Sequence, residues 1–209
     1  MNSKETRLLA IIFVVAGVLF ALLAALVTNG VTDSLDTSVL LWINQHASPA
    51  LDSLFVIITQ FGGFAVVATV GLLITALLLF KKQYLKALFV VIGLGGAALW
   101  SVVFKSIVER VRPDLWESLI HETSLSFPSG HATASMALAL VVIMLLWRTR
   151  WKKAALIAGT IYVLLIGFSR LYLGVHYPTD ILGGWLLSIT WVSLAGLAYL
   201  LVQQRNYRA

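Results

Sequence analysis

Most of the polar side chains capable of chemistry fall in three short stretches. Lys105 and Arg112 lie in KSIVERVRP, Ser129, Gly130 and His131 in SFPSGHATAS, and Arg170, His176 and Asp180 in FSRLYLGVHYPTDILGG. Lys105 and Arg112 are seven residues apart, two helical turns, so they share a face if a helix runs on to Pro113, which ends it. In the second stretch Pro128 and Ser129 are helix-start signals, with the serine as N-cap, and Gly130 lets backbone amides approach a ligand. Amides at a helix start favour an anion, and His131 sits in that first turn. In the third stretch Arg170 ends one apolar run and Pro178 opens the next. Asp180 is four residues beyond His176, near enough to orient its imidazole through one ring nitrogen.

Taken singly, each stretch has a plainer reading: two cations snorkelling at an interface, a capped helix with a surface histidine, a structural His–Asp hydrogen bond. Taken together they supply three cations, two histidines, an orienting carboxylate and a helix start. That is an oxyanion pocket with a nucleophile and an acid. Phosphoryl transfer needs those parts, because charge spreads over three equatorial oxygens while the attacking and leaving atoms stay in line. Lys105, Arg112 and Arg170 would clamp the oxygens, the arginines bidentately through their planar forks. One motif carboxylate is too few for a two-metal phosphatase, so neither metal nor other cofactor is expected. The chain has no cysteine, which excludes thiol catalysis.

The elements that must hold these groups are written in the composition. Of 209 residues 60% are hydrophobic and only 11% charged, where a soluble domain carries about a quarter charged. Mean hydropathy is +0.94. Uncharged runs cover residues 8–32, 53–80, 87–104, 132–147, 154–169 and 181–204, each supplying most or all of the roughly 20 apolar residues of a spanning helix. None alternates with period two, which argues against a barrel. The expected fold is all-α, a single membrane domain over residues 1–209 with six transmembrane helices. The first run is longer than a signal-peptide core and lacks an A-x-A cleavage site, so it reads as a retained helix.

Charge placement predicts the topology. With both termini cytoplasmic, the inner segments contain Lys4, Arg7, Lys81, Lys82, Lys86, Arg148, Arg150, Lys152, Lys153, Arg205 and Arg208, eleven of the fifteen basic residues. The outer side receives Lys105, Arg110, Arg112 and Arg170, every acid except Glu5, and all four histidines. The net charge of +6 is thus an orientation signal and not a nucleic-acid footprint. Trp147 and Trp151 at one boundary, with Trp42 and Trp116 at the other, fit interfacial belts. In the first outer segment Asp36, Val39, Leu40 and Ile43 fall at helical spacing, predicting a short interfacial helix that guides a head group or packs across the helix tops. Residues 113–127 form the longest loop beside the cluster, a lid or plain packing, with Trp116, Leu119 and Ile120 to cover it. Glu109 and Arg110 are assigned no chemistry and are expected to pair with each other or with Glu117. The Gly62-Gly63 and Gly183-Gly184 pairs and the run 93–96 read as close helix contacts.

Lys105-x6-Arg112-Pro113, Pro128-Ser129-Gly130-His131 and Ser169-Arg170-x5-His176-x3-Asp180 together resemble the three-part signature of the type 2 phosphatidic acid phosphatase family. Its bacterial members include phosphatidylglycerophosphatase B and undecaprenyl-pyrophosphate phosphatases. No signature position departs from the pattern. The resemblance implies metal-independent hydrolysis of a membrane lipid phosphate at the extracytoplasmic face. It implies that His176 attacks phosphorus, Asp180 holds its tautomer, and His131 protonates the leaving oxygen. Lys105, Arg112, Arg170, Ser129 and Gly130 would bind phosphate. Undecaprenyl pyrophosphate, phosphatidylglycerol phosphate and phosphatidic acid all fit such a site. Two other classes stay open: an anion or lipid transporter, whose site is expected nearer the bilayer midplane, and a vanadate-dependent haloperoxidase, whose pocket is similar but whose fold is soluble.

Overall fold

A computed structural model describes residues 3–206, and every regular element among them is an α-helix. In chain order these are α1 (Ser3–Thr28), α2 (Asp33–Asn44), α3 (Pro49–Gln60), α4 (Phe64–Phe80), α5 (Tyr84–Val108), α6 (Gly130–Leu146), α7 (Lys152–Tyr172) and α8 (Pro178–Asn206). Arg208, one of the expected inner cations, lies outside the described residues.

The expectation of six spans is met in part. α1, α5, α7 and α8 are long and apolar enough to cross a membrane. The uncharged run 53–80 is not one straight rod: α3 and α4 meet at a bend of 40° and make a fifth span if counted together. The break falls at Gly62-Gly63, where a Cβ on Gly62 would come within 2.3 Å of Ile166 on α7. Glycine there lets the corner of the bent pair sit directly on α7. α6 has 17 residues and measures about 25 Å at 1.5 Å per residue, short of a hydrocarbon core of roughly 30 Å.

The exterior is apolar to a degree that water would not tolerate. Phe80 is 86% exposed and Phe64 75%, with Leu72, Leu73, Val102 and Ile107 also exposed on their helices. Such a surface marks contact with lipid. The interior is made of small and medium side chains, Ala97, Ala137, Val141 and Val192 packing with Phe89 and Val90 between α5, α6 and α8. Gly184 of α8 lies so near α6 that a Cβ would be 2.8 Å from the Ser129 carbonyl oxygen.

α2 forms where the helical spacing predicts it and turns Asp36, Leu40 and Ile43 inward. α5 ends earlier than the sequence suggests. It stops at Val108, with Glu109 left-handed at φ 50° and its N–H closing on the Lys105 carbonyl. Arg112 therefore does not continue the Lys105 face of a helix; it arrives from the loop that follows. Trp116, expected in the interfacial belt, packs over the α7–α8 turn, where Gly174 has φ +69° and a Cβ would fall 2.6 Å from the indole. At the opposite end of the bundle Arg148 pairs with Glu5, bringing the start of α1 beside the α6–α7 turn.

Candidate active site

The three stretches are stitched together by backbone as well as side chains. The Ser129 N–H donates to the Asp180 carbonyl oxygen at 3.0 Å, and the Ser126 N–H donates to the Arg110 carbonyl oxygen at 2.8 Å. Ser129 caps α6 as expected, its hydroxyl accepting from the Ala132 N–H at 3.4 Å. A Cβ on Gly130 would meet no atom within 4 Å, so the first turn of α6, which includes His131, presents an open face. The N-terminus of α6, the end of α7 and the start of α8 thus share one end of the molecule.

At the centre is the buried pair His176–Asp180. Asp180 Oδ2 lies 3.3 Å from His176 Nδ1 and accepts from Ser126 Oγ at 2.5 Å and from the Tyr177 N–H at 2.8 Å. Arg112 Nη1 lies 3.2 Å from His176 Nε2. A guanidinium can only donate, so Nε2 carries the lone pair and Nδ1–H points at the carboxylate. Burial, followed by the charges of Arg112, Arg170, Lys105 and His131, holds the His176 imidazole well below its ordinary pKa. That favours the neutral ring, with the Nε2 lone pair turned to Arg112.

Those cations are already engaged. Arg112 donates from Nε to the Ser124 carbonyl (2.6 Å), from Nη1 to the Val175 carbonyl (2.7 Å) and from Nη2 to Ser124 Oγ (3.0 Å). Arg170, 1% exposed, donates to Thr59 Oγ1 at 2.8 Å and to the Glu122 carboxylate, and its buried Nε–H has no partner among the described residues. Lys105 donates to the Leu125 carbonyl. Glu122 also reaches Arg112 at 3.5 Å, so one carboxylate bridges both arginines. Burial alone would raise the Glu122 pKa, but the charge and hydrogen bond of Arg170, with Arg112 and His131 beyond, hold it below the usual carboxylate range. The carboxylate takes the donors that a tetrahedral anion would contest.

The structure therefore brings together all eight residues singled out from the sequence, Lys105, Arg112, Ser129, Gly130, His131, Arg170, His176 and Asp180. It adds four that are not among the signature positions: Glu122, Ser126, Asp36 and Arg110. The expected pairing of Arg110 with Glu109 or Glu117 is wrong. Arg110 instead binds Asp33 (3.1 Å), Asp36 (2.7 Å) and Asp180 (2.9 Å), and its guanidinium carbon lies 4.1 Å from the centre of the Tyr177 ring. Two signals pointed that way: Arg110 breaks the positive-inside pattern, and Asp36 is a carboxylate on the inward face of an apolar helix.

Residues 83–207, more than half of the chain, match the PAP2 superfamily. The chain belongs to that superfamily. A Bacillus subtilis relative named phosphatidylglycerophosphatase B is 31% identical over 175 residues, covering 81% of this chain and 86% of its own. A Sulfolobus acidocaldarius protein named undecaprenyl-diphosphatase is 31% identical over 72% of this chain and 71% of its own. The crystal structure of a transmembrane PAP2-type phosphatidylglycerolphosphate phosphatase from Bacillus subtilis superposes with a TM-score of 0.77 at 29% identity, over 94% of this chain and 96% of that one. With its long apolar helices, this PAP2 chain is a multi-pass membrane protein. The three stretches that carry the resemblance all lie inside the matched region.

Proposed function

We propose that the protein is an integral membrane lipid phosphatase that cleaves a lipid phosphate or pyrophosphate through a phosphohistidine, without a metal. The observation that carries this reading is the buried His176 imidazole, anchored by Asp180 at Nδ1 and facing Arg112 at Nε2. In the first step the Nε2 lone pair attacks phosphorus and the bond from phosphorus to the leaving oxygen breaks. His131, protonated beside the bound phosphate anion, gives that oxygen its proton and becomes the neutral base for the second step. Arg112, Arg170, Lys105 and the first-turn amides of α6 offset the charge on the three equatorial oxygens. Asp180 balances the imidazolium character that His176 gains. In the second step His131 takes a proton from water, the water oxygen bonds to phosphorus, and the P–N bond breaks to free phosphate.

Several features favour a lipid as substrate. An apolar groove of about 380 Å³ runs between α4, α6 and α7, lined by Val66, Val70, Leu138, Val142 and Tyr162. Phe61 also lines it, two residues before Gly63, where a Cβ would lie 3.8 Å from His131 Nε2. A tail held in lipid or in that groove leaves its head group at the cation cluster. Two relatives are named phosphatidylglycerophosphatase B and undecaprenyl-diphosphatase, so phosphatidylglycerol phosphate and undecaprenyl pyrophosphate are candidates, with phosphatidic acid a third from the family resemblance. In the membrane we place both termini in the cytoplasm, with the bent α3–α4 pair and the short α6 completing six spans. The site then faces the extracytoplasmic side. The segregation of Lys81, Lys82, Arg148, Arg150, Lys152 and Lys153 to the turns at the other end supports this orientation.

The test is phosphate release from those three lipids in detergent with a chelator present. Release in chelator, with acid-labile label on wild-type protein and none on His176→Ala, is the expected result. Label that survives in His176→Ala would put the nucleophile elsewhere. No release from any of the three by folded protein would favour a transport or binding role.

A further inference from the structure

Behind the His176–Asp180 pair lies a second polar layer that no signature motif contains. Asp36 of α2 is fully buried. It accepts from the Thr179 N–H at 3.0 Å, from Thr179 Oγ1 at 2.6 Å and from Arg110 at 2.7 Å. Thr179 is the second residue of α8, so its N–H is one of the first-turn donors with no partner inside the helix. A carboxylate from a separate helix thus caps the element that carries Asp180. Arg110 completes the layer, with one Nη1 contact at 2.7 Å to Thr179 Oγ1 and another at 2.9 Å to Asp180 Oδ1. It occupies the carboxylate oxygen that His176 does not use.

We infer that Arg110 and Asp36 are positioning residues for the reaction: Arg110 holds Asp180 with Oδ2 turned to the imidazole, and Asp36 fixes both Arg110 and the first turn of α8. The argument is one of degrees of freedom. A carboxylate can rotate, and Oδ2 meets Nδ1 only if Oδ1 is held elsewhere. Among the described residues, Arg110 is the side chain bound to Oδ1; Ser126 and the Tyr177 N–H share Oδ2 with the histidine. Arg110 in turn has its second nitrogen fixed by Asp33 and Asp36 and its face against Tyr177. The interfacial helix α2 is therefore a working part of the site and not merely a cover for the helix tops.

This inference rests on the phosphohistidine reading and is tested alongside it. The groups that act on His176 are Lys105 from α5, Arg112 from the loop that follows, His131 from α6, Arg170 from α7 and Asp180 from α8, with Glu122 of the same loop bound to both arginines. Arg110 and Asp36 stand one layer behind. Removing the Arg110 charge leaves Asp180 less offset, so the imidazole is easier to protonate. Arg110→Gln is expected to lower kcat at least about tenfold while KM stays within about threefold, since Arg110 does not touch the anion site. The acid limb of its kcat/KM profile should move to higher pH. Arg110→Lys keeps the charge but loses the fork, so its acid limb should stay in place while kcat falls by about threefold to fivefold.

The assay uses full-length protein in detergent with whichever of the three lipids wild type turns over, and size-exclusion profiles confirm folding. Wild-type kcat and an unmoved acid limb in Arg110→Gln would overturn the inference. So would equal kcat losses in both variants with neither limb moved, the pattern of a merely structural contact. If Arg110→Gln does not fold, Arg110→Lys decides: a wild-type kcat overturns the assignment, and a several-fold loss at unchanged KM sustains it. Label retained by His176→Ala would mark failure of the phosphohistidine reading itself, whatever the Arg110 variants do.

Discussion

Glu122 is the residue whose replacement should improve something. Its carboxylate bridges Arg170 and Arg112, the two guanidiniums that would hold the phosphate oxygens. An incoming anion must displace it, so Glu122→Gln, nearly the same shape without the charge, should raise anion affinity. A hydrogen bond to a charged group contributes about 1.5–3 kcal/mol. The side chain is 24% exposed and its Arg112 contact is long at 3.5 Å, which argues for the lower part of that range. A net 1.5–2 kcal/mol corresponds to roughly 10–30-fold in affinity. The readout is the inhibition constant of orthovanadate, a tetrahedral oxyanion, against phosphate release at neutral pH, and it should fall by that factor. The effect has a pH signature. Because the Glu122 pKa is depressed, its pairing is at full strength above the ordinary glutamate value of about 4.3 and fades as pH falls through the lower folded value. The gap between wild type and Glu122→Gln should narrow only in acid. An inhibition constant that is unchanged or weaker in Glu122→Gln at neutral pH would refute the reasoning and make Glu122 a support for the arginines.

Other expectations follow from the same geometry. Asp180→Asn should lose at least about a hundredfold in kcat, because an amide can present the wrong group to Nδ1; an activity within tenfold of wild type would speak against an orienting role. The His176 imidazole is buried neutral, so unfolding takes up a proton below its ordinary value of about 6.5, and stability should be fully present above that pH and decline beneath it. Thermal unfolding of wild type and His176→Gln in detergent between pH 7 and 5 measures this, and the variant should show the smaller acid loss. Gly184→Ala should cut the yield of folded protein, since its Cβ would sit 2.8 Å from a backbone oxygen, whereas Gly95→Ala meets nothing within 4 Å and should be neutral.

The chemistry was legible in one dimension because it depends on residue types that a greasy chain otherwise avoids. Lys105, Arg112, His131, Arg170, His176 and Asp180 stand out against 11% charge, and local rules account for the Ser129 cap and the start at Pro178. The helical content, the membrane setting and α2 follow equally from hydrophobic runs and spacing. Long-range partners carry no such mark. That Arg110 turns to Asp36 and Asp180 instead of the adjacent Glu109 depends on where α2 and α8 meet, across 74 and 70 positions of sequence. That Glu122 bridges two arginines depends on how the loop between α5 and α6 folds back. Helix bounds were no more legible: one apolar run is divided at Gly62-Gly63, where the chain rests on Ile166 of α7, and α5 stops at Val108, so that Arg112 reaches His176 from the loop that follows. Amino-acid type determined which groups are present and which solvent surrounds them; the close approach of distant backbones determined which group faces which, since burial forces every charge to find a partner wherever the fold supplies one.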